Sequence, residues 1–174
     1  MALLPILIHP DPRLKTKCVD VTDFDDALKA FSEDMLETMY DAPGIGLAAP
    51  QVGVTKRVLV MDCTAKDDDP DPMVLVNPKV IAASEEMSVY EEGCLSIPEQ
   101  FDNVERPAEV TVEFQDLSGQ TVTRDFDGLW ATCVQHEIDH LDGKLFIDYL
   151  SRMKRGMITR KMQKLKRERA AEAI

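Results

Sequence analysis

Two histidines four residues apart, with a glutamate directly after the first, constrain this chain more than any other feature of its sequence. The segment is His136-Glu137-Ile138-Asp139-His140, which fits the pattern H-E-x-x-H. Residues four apart lie on one face of an α-helix, so both imidazoles can bind one metal ion. Glu137 lies about 100° round the helix from His136. It would therefore flank the ion as a general base for metal-activated water, without being a ligand.

The five-residue pattern also fits a surface helix whose histidines and acids fall in this order by chance. A third ligand of suitable chemistry elsewhere in the chain would favour the metal site over that alternative. Cys94, in the segment EGCLS, is the leading candidate. A thiolate and two imidazoles leave one coordination position open for water. Spacing alone does not choose Cys94 over Cys63 or Cys133, and a cysteine taken singly is more often a small buried hydrophobe. Cys133 lies one turn before His136, where a ligand would crowd the pair, so we interpret it as pocket wall.

The segment GIGLAAPQ, residues 44–51, is a second candidate for the site. Its two glycines allow a backbone to approach another group closely, and the amide of Gln51 can donate hydrogen bonds to a carbonyl oxygen. Taken alone, these residues fit a simple turn between a helix and a strand slightly better than a site. The segment alone therefore leaves both interpretations open.

Three helices are predicted. The first follows the N-cap residue types Thr22 and Asp23 and stops before Pro43, because the residue before a proline avoids helical geometry. Its apolar positions are spaced three or four apart: Phe24, Leu28, Phe31, Met35 and Met39. Asp127 can cap a second helix, which begins near Gly128, carries HEIDH and ends before Gly143. The third is the amphipathic C-terminal segment 151–174.

Strands are predicted at residues 57–63 and 73–83, on either side of an acidic exposed loop at residues 64–72. Residues 109–126 predict a hairpin with one buried face, because EVTVEFQ alternates apolar and polar residues and DLSGQ supplies a turn. These elements predict an α+β fold, with antiparallel strands packed around a central helix that carries HEIDH, an N-terminal helix and a C-terminal helix. The length of 174 residues fits one domain, 1–174.

Charge is distributed unevenly along the chain, whose formal net charge is −12. Residues 151–174 contain nine Lys or Arg and two acids, so this basic C-terminal helix carries +7 and the remainder −19. An acidic body repels nucleic acids and anionic membranes, so any contact with a polyanion has to come from that helix. Four cysteines without paired spacing favour a reducing compartment, and the N-terminal residues resemble neither a signal peptide nor a membrane span. We therefore expect a cytoplasmic protein.

Taken in this order, GIGLAAPQ, EGCLS and QHEIDH resemble the three signature segments of peptide deformylases of the bacterial type. The resemblance extends over most of the chain, including the PDPRL opening and the C-terminal helix. It implies metal-dependent hydrolysis of the N-formyl group from the N-terminal methionine of newly made polypeptides, with release of formate. It also implies one divalent metal ion, Fe(II) in the cell, with Zn(II), Ni(II) or Co(II) as possible replacements.

The resemblance also implies a role for individual residues. Cys94, His136 and His140 match the metal ligands, Glu137 the acid and base, and Gln51 with the backbone N–H of Leu95 the groups that stabilise the oxyanion. Six residues match positions that shape the pocket for the methionine side chain: Ile45, Gly46, Glu92, Gly93, Leu129 and Cys133. Tyr90 and Thr132 fall in the variable part of that pocket. Expected partners are formylmethionyl nascent peptides and the ribosome, contacted by the basic helix, but neither DNA nor a membrane, and the chain is expected to be a monomer.

Two other functions fit parts of the sequence. A general H-E-x-x-H endopeptidase usually takes its third ligand from a downstream His or Glu, yet residues 141–174 contain no histidine and only Glu168 and Glu172. A closed structural zinc site would use Cys63 or Cys133 as a fourth ligand. The first alternative predicts cleavage of internal peptide bonds, and the second predicts that Glu137 is dispensable.

Overall fold

The computed structural model describes residues 2–172, which form three α-helices, seven strands and three 3₁₀ turns. The helices are α1 (Asp26–Asp41), α2 (Gly128–Leu141) and α3 (Arg152–Glu172). The strands are β1 (Gly46–Ala48), β2 (Val58–Met61), β3 (Met73–Ala83), β4 (Met87–Cys94), β5 (Ile97–Pro107), β6 (Val110–Gln115) and β7 (Thr121–Phe126). The 3₁₀ turns span Pro12–Lys15, Ala49–Val52 and Phe146–Tyr149.

All strand pairs are antiparallel, in a five-stranded sheet with the order β1-β2-β3-β6-β7 and a separate hairpin of β4 and β5. The predicted strands at 57–63 and 73–83 correspond to β2 and β3, and the predicted hairpin corresponds to β6 and β7. Helix α2 packs its apolar face on this sheet, where Val134, Ile138 and Leu141 join the core formed with Leu59 and Leu75. The predicted α+β fold around a central HEIDH helix is therefore confirmed.

The N-cap of helix α1 lies two residues after Asp23, the later of the two N-cap residue types that the sequence offered. Its N-cap is Asp25, whose carboxylate accepts a hydrogen bond from the N–H of Leu28 at 3.0 Å. Asp25 caps the helix because its extended backbone directs the side chain toward the first free N–H groups of the helix. The helix ends at Asp41, before Pro43, as predicted.

The ends of α2 hold the HEIDH segment in place. Asp127 is the N-cap residue, as predicted, but its side chain makes no capping hydrogen bond. At the other end Gly143 adopts φ +78°, and a Cβ there would lie 2.6 Å from the carbonyl oxygen of Lys15, so only glycine fits. The Arg57 guanidinium donates to the carbonyl oxygen of Leu141 at 3.1 Å and to Asp142 at 2.9 Å, which satisfies the helix terminus.

The hairpin of β4 and β5 was not predicted from the sequence. Half of the residues of β4 are exposed and only one is buried, so the strand lacks the apolar alternation that marks a half-buried strand. The fully buried residue of β4 is a charged one, Glu92. Cys94 is the last residue of β4, directly before the turn of this hairpin, which brings the EGCLS segment to α2.

Helix α3 packs against the body through Ile158 and Met162, which are buried in a cluster with Phe146 and Ile147. Two polar contacts tie it down further: His9 Nε2 lies 2.8 Å from Thr159 Oγ1, and Lys154 forms a salt bridge of 3.0 Å with Asp102. The predicted helical segment 151–174 extends to residues 173–174, which lie outside the described residues. Of the helices within residues 2–172, none is both long enough and apolar enough to cross a bilayer.

Candidate active site

A cleft of about 750 Å³ opens between α2, the β4–β5 hairpin and the GIGLAAPQ segment. Glycines and apolar side chains form most of its wall, and His136, Glu137, Cys94 and Gln51 provide the polar groups inside it. A largely apolar cleft with a few converging polar groups is the usual form of a small-molecule or peptide site. The three segments that the sequence singled out meet at this cleft.

Cys94, His136 and His140 form a compact group at the bottom of the cleft. The Cys94 sulfur lies 3.3 Å from Nε2 of His140, and the Nε2 atoms of the two histidines lie 3.2 Å apart. All three candidate ligand atoms lie within 4.8 Å of one another. Among residues 2–172 this is the one cluster of His, Cys, Asp and Glu side chains arranged to hold a metal ion. Cys63 and Cys133 lie outside it.

The chemistry of this group fits a divalent ion. Burial and the neighbouring His136 lower the pKa of His140 well below its usual value, so this imidazole is neutral and has a lone pair to donate. Burial also acts to lower the pKa of His136, but the contacts with Cys94, Glu137 and Glu92 outweigh it and raise that pKa. A cation at Nε2 of His136 would compete with the proton there, as metal ions do at imidazole ligands.

Glu92 fixes the orientation of His136. Its carboxylate Oε1 lies 3.0 Å from Nδ1 of His136, so Nδ1 carries the proton of that hydrogen bond and Nε2 faces Cys94 and His140. The same carboxylate accepts hydrogen bonds from Nε and Nη2 of Arg106 at 2.7 and 3.0 Å. Burial raises the pKa of Glu92, but the contacts with His136 and Arg106 lower it by more. The net pKa is below its usual value, so the carboxylate is ionised. Glu92 borders the cleft, as predicted, but its carboxylate points to these two residues.

Glu137 is 3% exposed, and its Oε1 atom has no hydrogen-bond partner within the described residues. Burial raises the pKa of this carboxyl to about 7. Its Oε1 lies 3.9 Å from Nε2 of His140, too far for a hydrogen bond but adjacent to the three candidate ligands. A buried, unpartnered carboxylate with a pKa near neutrality is suited to accept and return a proton.

Gln51 is held rigidly at the other side of the group. Its Oε1 accepts a hydrogen bond from the N–H of Ala48 at 2.9 Å, which fixes the direction of the amide. The Nε2 atom then lies 3.4 Å from the Cys94 sulfur and 3.1 Å from Oγ of Ser96. The segment that carries Gln51 is strand β1 followed by a 3₁₀ turn, so the interpretation of GIGLAAPQ as a simple turn was wrong.

Gly46 lies in close contact with Glu137 and Cys133. A Cβ at this position would lie 2.6 Å from Oε2 of Glu137 and 2.8 Å from the sulfur of Cys133. The Cys133 thiol in turn donates to the carbonyl oxygen of Ile45 at 3.6 Å, which places Cys133 in the wall, as interpreted from the sequence. The other residues predicted to shape the pocket also border the cleft: Ile45, Glu92, Gly93 and Leu129. Tyr90 and Thr132 border it as well.

Sequence reasoning missed Arg106, Ser96 and Tyr149. Arg106 is 4% exposed and donates to both Glu92 and Asp139, while Tyr149 donates to Asp139. No motif marks Arg106 or Tyr149, because their contacts join segments far apart in the chain. Ser96 could have been found, since it is the last residue of EGCLS.

An H-E-x-x-H helix with a buried glutamate beside a thiol and two imidazoles defines this chain as a hydrolase of the H-E-x-x-H type. Comparison with known proteins narrows the class. The family model described as polypeptide deformylase matches residues 3–156. A peptide deformylase of Rhizobium meliloti (strain 1021) is 53% identical over 174 residues, which is 100% of both chains.

Solved structures agree. A peptide deformylase from Legionella pneumophila is 44% identical, with a TM-score of 0.89 over 97% of this chain and 98% of that one. One from Ehrlichia chaffeensis, in complex with actinonin, is 39% identical, with a TM-score of 0.92 over 96% of this chain and 99% of that one. The chain therefore belongs to the peptide deformylase family, hydrolases that remove the N-formyl group from nascent polypeptides.

The close approach at Gly46 yields a prediction. In Gly46→Ala the new methyl group displaces the Glu137 carboxylate, and a displacement of this kind reduces turnover of a formylated peptide by about tenfold or more. Gly156→Ala is the matched control, because the nearest heavy atom to a Cβ there is the flexible Arg160 end at 3.5 Å. Steady-state kinetics checks both variants. Equal turnover in Gly46→Ala and wild type would show that the carboxylate position is not critical.

Proposed function

We propose that the chain hydrolyses N-formylmethionyl polypeptides with one divalent metal ion bound by Cys94, His136 and His140. Glu137 is the acid and base of this reaction. The observation that carries the proposal is the convergence of these four side chains in one cleft, with the three candidate ligand atoms within 4.8 Å of one another. Three protein ligands leave a coordination position for water or substrate, which is the arrangement of catalytic metal sites.

The donor atoms and the family resemblance support a proposal for the identity of the ion. One sulfur and two imidazole nitrogens suit Fe(II), Zn(II), Co(II) and Ni(II) and disfavour Mg(II) and Ca(II), which prefer oxygen. We propose Fe(II) in the cell, as the resemblance implies, with the other three as replacements. When bound, such an ion polarises the formyl oxygen and lowers the pKa of water.

Proton transfer is the task of Glu137. In its ionised form it accepts a proton from the attacking water, which adds to the formyl carbon and forms a tetrahedral oxyanion. The carboxylic acid then returns that proton to the nitrogen of the departing amine. The C–N bond breaks, and the products are formate and a polypeptide with a free N-terminus. Burial favours both steps, because it raises the pKa of Glu137 to about 7, close to neutral pH, where a carboxyl can both accept and return a proton.

The oxyanion needs hydrogen-bond donors that are already in position. We propose the Gln51 amide and the backbone N–H of Leu95, which lies in the turn between β4 and β5. The bond from Ala48 N–H to Gln51 Oε1 supports this role, because it turns the NH₂ group toward Cys94 before substrate binds. Loss of one such donor typically lowers kcat about 100-fold to 1000-fold.

The methionine side chain is proposed to occupy the apolar part of the cleft. Ile45, Leu129 and Cys133 supply its apolar surface, and Gly46 and Gly93 leave room for the substrate backbone. Ile45 and Leu129 are 44% and 41% exposed, so a substrate side chain would bury apolar surface that now faces water. Glu92 borders the cleft and contributes by orienting His136.

Glu137→Gln tests the mechanism. The amide keeps the size of the side chain but cannot accept the proton, so we expect turnover of a formyl-methionyl peptide to fall at least about 100-fold while metal content and folding are retained. Glu91→Gln is the matched control, because Glu91 is exposed at the edge of the same cleft. Formate release and metal analysis are measured on both.

The two alternatives give different results in that experiment. A closed structural site predicts no loss in Glu137→Gln, and near wild-type turnover would rule out the proposed base. An endopeptidase would cleave an internal bond of an acetyl-blocked peptide without releasing formate. The position of Cys94 disfavours both alternatives, since it supplies the third candidate ligand without Glu168, Glu172, Cys63 or Cys133.

The basic helix α3 is proposed to contact ribosomal RNA near the exit of the nascent chain, in the cytoplasm, where the monomeric enzyme meets its substrate. Its exposed Lys and Arg side chains support this role, while Ile158 and Met162 face the body. One exposed cation, Arg169, also borders the cleft, so the helix and the substrate entrance lie side by side. Lys and Arg that neutralise phosphates give binding that weakens steeply with salt.

Substitution tests this contact better than truncation, because truncation would expose the buried face of α3. We expect Lys161→Gln, Lys164→Gln and Arg167→Gln together to weaken ribosome binding and to lower the salt slope by about 0.7–0.9 for each phosphate that is no longer neutralised. Activity on a free peptide stays unchanged. The matched control is a triple variant that removes the same charge from exposed surface outside α3: Lys17→Gln, Lys29→Gln and Lys66→Gln. Equal binding by both triple variants would contradict a specific role for α3.

A further inference from the structure

Five polar side chains form a continuous line of hydrogen bonds from the surface to a candidate metal ligand. Tyr149 Oη donates to Asp139 Oδ2 at 2.7 Å, and Arg106 Nη1 donates to the same oxygen at 2.8 Å. Arg106 also donates twice to Glu92, which accepts from His136 Nδ1. The line therefore joins the turn before α3, helix α2, strand β5 and strand β4.

Arg106 is shared between two carboxylates along this line. Glu92 and Arg106 are each 4% exposed at the side chain, and Asp139 is 16% exposed. A buried guanidinium between two acids has its position set by the balance of their attractions. Any change in the charge that Asp139 presents to Arg106 therefore changes how firmly Arg106 holds Glu92, and hence how firmly Glu92 holds His136.

Tyr149 sets that balance from the outer end. Its hydroxyl supplies a hydrogen bond to Asp139, and its ring lies 4.8 Å from the guanidinium carbon of Arg106, close enough for a cation–π contact. Burial, followed by the bond to Asp139, raises the pKa of the Tyr149 hydroxyl to about 12, so this group is a donor throughout the physiological range. Within residues 2–172, Tyr149 does not line the cleft, and its hydroxyl bonds to Asp139 and to none of the three candidate ligands.

We propose that Tyr149 is a positioning residue for the metal site, and that its hydroxyl acts through Asp139, Arg106 and Glu92 to hold the His136 imidazole in its ligating orientation. The inference rests on the proposed role of His136 as a ligand. Residues that hold a ligating histidine affect metal affinity directly, and the removal of such a partner typically costs about 10-fold to 100-fold. Tyr149 lies further out, so its effect is smaller.

Tyr149→Phe tests the inference, because it removes the hydroxyl and keeps the ring over Arg106. The dissociation constant for Zn(II), measured by chelator competition on the full chain, is expected to rise about threefold to tenfold. The ¹H resonance of His136 Nδ1–H in the Zn(II) protein is expected to shift. This signal reports the hydrogen bond to Glu92 and does not depend on turnover.

Tyr40→Phe is the matched control. Tyr40 also donates to an aspartate, Asp62 at 2.6 Å, and it is 45% exposed where Tyr149 is 49% exposed. Asp62 bonds to Thr64 and Asp71 and is not connected to His136 within the described residues. The control variant therefore loses an equivalent hydrogen bond and is expected to keep wild-type Zn(II) affinity and an unchanged His136 signal.

A double-mutant cycle with Glu92→Gln separates action along the line from general loosening. If Tyr149 acts through Glu92, its effect on Zn(II) affinity largely disappears in the Glu92→Gln background. Full additivity, or a Tyr149→Phe affinity within about twofold of the control, overturns the inference. If Cys94→Ser and His136→Ala leave Zn(II) affinity unchanged, the proposed function fails instead, so the two failures are distinguishable.

Discussion

The buried ion pair between Glu92 and Arg106 is the interaction on which the site depends. Its carboxylate also accepts from His136, so one charge pair joins strand β4, strand β5 and helix α2 at the point where their functional side chains meet. Removing one partner of such a pair leaves an uncompensated buried charge and typically costs about 3–5 kcal/mol. The hairpin that carries Cys94 is thus fixed to the helix that carries both histidines.

Burial of α2 explains why the same side chains can do chemistry. His140 is fully buried and Glu137 nearly so, and removal from water makes His140 neutral while it raises the pKa of Glu137 to about 7. The close approach of Gly46 to Glu137 and the hydrogen bond from Ala48 to the Gln51 amide hold two further groups of the cleft in place. Rigid positioning of this kind is worth several kcal/mol in catalysis.

The sequence predicted the elements whose pattern is local. Helices α1 and α2 and the pair β6–β7 follow from apolar spacing, and HEIDH is visible because its residues share one helix face. Strands β4 and β5 were missed because only one residue of β4 and three of β5 are buried, and two of those four, Glu92 and Arg106, are charged. Arg106 and Tyr149 were missed because their partners lie 14, 33 and 10 residues away. Spacing could not choose Cys94 among the cysteines; the fold brings its sulfur to 3.3 Å from His140.

One measurement tests the central claim most directly: titration of the metal-free protein with Co(II) under anaerobic conditions, followed by absorption spectroscopy. The account predicts saturation at one ion per chain, with the thiolate-to-cobalt charge-transfer band and the intense ligand-field bands of a four-coordinate site. Cys94→Ser should lose the charge-transfer band, while Cys63→Ser and Cys133→Ser should keep it. A band that survives in Cys94→Ser, or disappears in Cys63→Ser or Cys133→Ser, would contradict the account.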